Sequence, residues 1–167
     1  MPSRVRGTIA LMQIHVTVGT GCASTELAAF DRALFRAGIA NFNLVRLSSV
    51  IPADSGIVIT ETGCYTAEGG WGDRLYLVLA ESRTSVPNKS AWAGIGWVID
   101  PSGQGLFVEF EGNSEKYVRE SISHSLKDLL ETRDMDAAET NMIVTGITCQ
   151  DAPVCALVAA VYRSEPW

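Results

Sequence analysis

Residues 154–162, VCALVAAVY, form an uninterrupted apolar run with no polar face. A bilayer span needs about 20 such residues, so the run is read as a strand inside a folded core. Its neighbours fit the same pattern. Residues 9–18 end in an alternation of Ile14, Val16 and Val18 with Gln13, His15 and Thr17, the period-2 signature of a half-buried strand. Further strands are expected over 43–51, stopped by Pro52, and over 56–62, 73–81, 93–100, 104–111, 142–149 and 154–163. In Asp100-Pro101-Ser102-Gly103, Pro takes the second turn position and Gly the fourth, which joins 93–100 and 104–111 as a hairpin.

Two stretches follow the helical period instead. Ser24 or Thr25 can cap a helix reaching about Ala37, with Gly38 placed to end it in the left-handed region. A second helix begins near Asn113 or Ser114 and closes near Arg133. It keeps Val118, Ile122, Leu126, Leu129 and Leu130 on one face and His124 on the other. Two helices and about seven mostly antiparallel strands in 167 residues predict one α+β domain with helices covering sheet faces.

Charge narrows the function classes. Thirteen Lys and Arg against nineteen Asp and Glu give −6, with no basic run, so the electrostatic footprint for nucleic acid or anionic lipid is missing. The start, MPSRVRGTIALM, has no small-residue cleavage pattern after its short apolar stretch, and a cytoplasmic protein is expected. Cys22, Cys64, Cys149 and Cys155 lack ligand-like spacing, so neither metal nor disulfide is expected. Gly19 to Gly21 follow a strand but lack the rest of a phosphate-binding glycine pattern. With His15 and His124 both on polar faces and no GxSxG elbow, a Ser-His-Asp triad is not expected. Only 19% of residues are charged, against about 25% in a typical soluble domain, which points to a surface partly covered by other subunits.

Three features break their own patterns. On the first helix, Leu27, Phe30, Leu34 and Phe35 share an arc that also contains Asp31. That carboxylate is either paired internally, for instance with Arg46, or at an exposed edge, or a specificity group for a cationic ligand such as a guanidinium. On strand 104–111, Phe107, Glu109 and Glu111 share one face and Leu106, Val108 and Phe110 the other. Either the acids lie on a solvated face, or one is desolvated beside Phe107 and can deliver a proton. Ser48-Ser49 stand late in a strand, where adjacent serines are ordinarily turn or strand-end residues.

Together these residues closely resemble the pyruvoyl-dependent arginine decarboxylases. The likeness is sharpest in NxNLxRxSSxxP, here Asn41, Asn43, Leu44, Arg46, Ser48, Ser49 and Pro52, with FDxAL before it and Glu109 to Gly112, EFEG's counterpart of ExEG, after it. Arg32, Ala40 and Ala53 stand where many relatives have glycine, glycine and proline, and none of these changes removes a chemical group. Arg32 adjoins Asp31 but points about 100° away around the helix.

The resemblance implies an αββα sandwich that cuts itself between Ser48 and Ser49 into chains 1–48 and 49–167. Ser49 becomes a covalent pyruvoyl group, with no metal and no pyridoxal phosphate. That group forms a Schiff base with the amino-acid substrate and takes up the electrons left by departing CO₂, turning L-arginine into agmatine. Glu109 is implied as proton donor, Asn43 as an amide near the pyruvoyl, and Asp31 as the guanidinium partner. Homotrimers, or multiples of them, with active sites at interfaces are implied, and neither nucleic acid nor membrane is an expected partner. The alternatives are another amino-acid substrate, or an unprocessed, non-catalytic oligomeric or ligand-binding relative.

Overall fold

The apolar run becomes the middle strand of a five-stranded sheet, which explains why it has no polar face. The computed structural model describes residues 12–136 and 139–167; the chain start and residues 9–11 of the first expected strand lie outside them. The elements are β1 (Gln13–Cys22), α1 (Glu26–Arg36), β2 (Asn43–Arg46), β3 (Val50–Ile51), β4 (Gly56–Ile59), β5 (Arg74–Thr84), β6 (Ser90–Ile99), β7 (Gly105–Gly112), α2 (Glu115–Arg133), β8 (Asn141–Thr148) and β9 (Val154–Glu165). One sheet has the order β2-β5-β9-β1-β4 and the other β3-β7-β6-β8. β9 runs antiparallel to both β1 and β5, while β1–β4 and β2–β5 are parallel pairs.

Every residue of β9 from Val154 to Val161 is buried, because the strand serves two cores. Cys155, Leu157, Ala159 and Val161 face a layer that contains the alanines of α1. Val158 and Ala160 face the opposite sheet, meeting Ala93, Ile95, Trp97 and Phe107. On that sheet's other side Val98, Leu106 and Val108 pack under Val118, Ile122, Leu126 and Leu130 of α2. The layers are therefore helix, sheet, sheet, helix, the expected α+β sandwich. The expected caps also form: Thr25 accepts from the Ala28 N–H at 3.1 Å, and Ser114 from Tyr117 at 3.2 Å. Gly38 has φ 73, and the hairpin turn closes with Gly103 donating to the Asp100 carbonyl at 2.9 Å. Among the described residues no helix is long and apolar enough to cross a membrane.

Three expectations change. Strand 43–51 is two strands, β2 in one sheet and β3 in the other, and the described residues hold nine strands where about seven were expected. The face α1 buries fully is Ala29 and Ala33, continued by Ala37; of the arc of large side chains, Phe30 and Leu34 pack half-buried against that core, while Leu27 is 70% and Phe35 60% exposed. The polar side of β1 is solvated only at its start: Gln13 is exposed and His15 half-buried, but Thr17 is fully buried and donates to the Ala37 carbonyl at 2.9 Å.

One cause underlies the last two changes. Gly19 and Gly21 let the helix backbone rest directly on β1; a methyl at Gly19 would fall on the Ala33 carbonyl, and one at Gly21 on the Ala29 carbonyl. At that approach only alanine fits between. The GTG segment is thus a seat for a helix. Gly21→Ala is expected to destabilise the fold by about 2 kcal/mol, read as a lower urea midpoint, whereas Gly70→Ala, where a methyl has room, should change it far less. Equal midpoints for the two variants would contradict the seat.

Candidate active site

Between β2 and β3 the chain leaves one sheet and joins the other, and Ser48-Ser49 lie in that crossing. Each flank is tied down. The Leu47 N–H donates to the Leu77 carbonyl of β5 at 2.9 Å, and the Ser49 carbonyl accepts from the Phe107 N–H of β7 at 2.8 Å. Ser49 is held at φ 71, a left-handed conformation that costs a residue with a Cβ of order 1–3 kcal/mol. The serines are therefore not strand residues, as their position late in 43–51 had implied. They form the strained link between two sheets.

The pairing of β3 with β7, Val50 opposite Leu106 and Ile51 opposite Gly105, carries Glu109 to this link. The Ser49 hydroxyl donates into the Glu109 carboxylate, with Oγ 2.9 Å from Oε1 and 2.8 Å from Oε2. Phe107, two residues earlier on the same face, is buried between the sheets. Glu109 itself is exposed within the single chain, so of the two readings left open for this strand face the chain by itself shows the solvated one. Beside the pair opens a cavity of about 390 Å³ whose walls include Ser49, Phe107, Glu109, Phe110, Ser125 and Asp128. This arrangement offers a hydroxyl, a carboxylate able to take its proton, and a partly apolar chamber next to both.

The other residues singled out in the sequence lie elsewhere. Asn43, at the start of edge strand β2, donates to the Gly72 carbonyl at 2.6 Å. Asp31 is exposed on α1, on the outer side of the five-stranded sheet, between Leu27 and Phe35. Neither hydrogen-bonds to Ser49 or Glu109 within the protomer, and Asp31 has no ion pair among the described residues. The possible Asp31–Arg46 pair does not form, because Arg46 bonds Glu81 at 3.0 Å, and Glu81 also holds Arg83 at 2.8 Å. Arg32 does not compete for Asp31 either; its guanidinium donates to the Cys22 carbonyl at 2.7 Å.

Sequence reasoning overlooked Tyr162, Ser125 and Asp128. Tyr162 closes the apolar run and packs edge-on against Phe107 at 6.2 Å between centroids. Its hydroxyl donates to the carbonyl of Val50, the residue after Ser49, at 2.8 Å. A single polar tip at the end of an apolar strand was the available signal. Ser125 and Asp128 sit at the flank of the α2 stripe and carry no pattern that marks them.

Comparison with known proteins agrees with the motif. Residues 13–166 match the family described as pyruvoyl-dependent arginine decarboxylase (PvlArgDC). The pyruvoyl-dependent arginine decarboxylase of Halobacterium salinarum is 31% identical over 157 residues, covering 92% of this chain and 96% of that one. That of Thermococcus sibiricus is 34% identical over 140 residues, 83% of this chain and 86% of its own. The pyruvoyl-dependent arginine decarboxylase 1 of Archaeoglobus fulgidus is 31% identical over 157 residues, 90% and 96% of the two chains. A match that runs from β1 to the end of β9 and takes in both Ser49 and Glu109 places this chain in the pyruvoyl-dependent arginine decarboxylase family.

Proposed function

We propose that the chain cuts itself between Ser48 and Ser49 and that the two pieces, 1–48 and 49–167, remain folded as one domain that decarboxylates L-arginine to agmatine and CO₂. The observation that carries this reading is the strained Ser49, whose hydroxyl donates to Glu109. Glu109 takes the hydroxyl proton as Oγ attacks the Ser48 carbonyl carbon. The amide C–N bond breaks, an ester forms in its place, and the freed nitrogen gains a proton. The left-handed strain at Ser49 is released in this step and lowers its cost. Loss of the Ser49 Cα proton then expels Ser48 as a carboxylate and leaves dehydroalanine, which water converts to a ketone and ammonia.

The residues fit the family's covalent group, since Ser49 supplies all of its carbons and the Phe107 N–H already holds the Ser49 carbonyl. That ketone supplies an electron sink for decarboxylation that no ordinary side chain offers. Glu109, next to the same carbon skeleton, holds the proton that replaces CO₂ on the substrate. Phe107 and Phe110 give the cavity an apolar wall beside Ser49, and covering of its open side by a second copy would exclude the water that opposes loss of a charged carboxylate.

Asp31 and Asn43 enter this reading through a second copy of the chain. Leu27 and Phe35, one helical turn before and after Asp31, are large, apolar and exposed, as befits a surface covered by another subunit. We assign the assembly as a homotrimer or a multiple of it, with Asp31 presenting its carboxylate to the guanidinium and Asn43 its amide near the cut. We assign the protein a cytoplasmic setting. Burial pushes the Cys155 thiol up to about 12, which keeps it unreactive.

The test is CO₂ release from a panel of amino acids, with arginine expected to lead. Asp31→Asn is expected to raise KM for arginine about tenfold while self-cleavage proceeds. Equal use of arginine and lysine by the natural chain, or indifference to Asp31→Asn, would contradict the guanidinium assignment.

A further inference from the structure

We infer that Tyr162 is a positioning residue that anchors the chain end created by self-cleavage and keeps it against Glu109. Cutting between Ser48 and Ser49 removes the covalent hold on Ser49 from its N-terminal side. A chain end that begins at residue 49 frays unless something fastens it, and β3, which follows, is only two residues long. Two tethers remain on successive carbonyls. The Phe107 N–H holds the Ser49 carbonyl, and the Tyr162 hydroxyl holds the Val50 carbonyl, each at 2.8 Å.

The second tether comes from β9, at the residue that follows its buried run and sits at a bulge against β5, so it ties the new end to the middle strand of the five-stranded sheet. The ring is fixed by its edge contact with Phe107, and Phe107 lies on the same strand face as Glu109. Anchor and acid are thus set by one packed cluster. The hydroxyl also stays a donor: burial, and then the nearby Glu109 charge, push its pKa above the usual tyrosine value. An ionised phenolate could not hold a carbonyl oxygen.

Tyr162→Phe keeps the ring and removes only the tether. The cut is expected to go to completion in this variant. Amide hydrogen exchange in the peptide beginning at residue 49 should quicken several-fold, while peptides from β1 and β5 keep their rates. In the cut enzyme kcat should fall about tenfold with KM within twofold, because a displaced reacting group costs turnover rather than binding. Exchange and kcat both within twofold of the natural protein would overturn the inference. So would exchange that rises equally in β1 and β5, which marks general loosening, or a folded variant that fails to cut. The inference rests on cleavage at Ser48–Ser49: a natural chain that stays whole sinks that reading, whereas a cut natural chain with an indifferent Tyr162→Phe sinks only the anchor.

Discussion

A Ser49→Ala chain is expected to purify as one full-length species and to release no CO₂ from arginine. The substitution removes one oxygen atom, and with it the hydroxyl proposed to attack the Ser48 carbonyl. The fold should survive. Alanine pays the same left-handed strain at φ 71 that serine pays, and the tether from Phe107 runs to a backbone carbonyl that the mutation leaves in place. Ser48→Ala, which keeps the scissile carbonyl, should still cut. The pair of variants therefore separates loss of the attacking group from general damage at the crossing: a Ser49→Ala protein that still splits at this bond would mean that the wrong hydroxyl has been assigned.

Glu109→Gln should carry the second large effect. Glutamine has nearly the same shape and can still contact the Ser49 hydroxyl, but it cannot accept that proton or later return one to carbon. General acid–base contributions of this kind are worth about 10²- to 10⁴-fold, so cleavage should slow from the natural rate by a factor in that range. Whatever fraction does cut should show kcat reduced on the same scale, with KM changed far less. Cleavage kinetics followed by mass spectrometry and CO₂ release per cut site measure the two steps separately. Rates within threefold of the natural protein in both would remove Glu109 from the chemistry.

The strands and helices were largely legible because their signals are local: alternation, capping serine and threonine, and a Pro-Gly turn. The face buried by α1 was not. Periodicity weighs large apolar side chains, and here the seat is built from what Gly19 and Gly21 lack, so that Ala29 and Ala33 go inside while Leu27 and Phe35 stay out. The break inside 43–51 was hidden because β3 has only two residues and no Gly or Pro marks the link before it. At the site, the parity of strand 104–111 correctly put Phe107 and Glu109 on one face. Motif resemblance, not periodicity, joined Glu109 to Ser49, since they are 60 positions apart and meet only through the β3–β7 pairing. Tyr162, more distant still, meets the site through tertiary packing, which a strand pattern cannot register.

The most direct test of the account is the mass spectrum of the purified natural chain under denaturing conditions. It predicts two species, residues 1–48 ending in a free carboxylate and residues 49–167 beginning with a pyruvoyl group in place of Ser49, the latter reducible by borohydride. A single intact 167-residue chain, with no fragment beginning at residue 49, would contradict it.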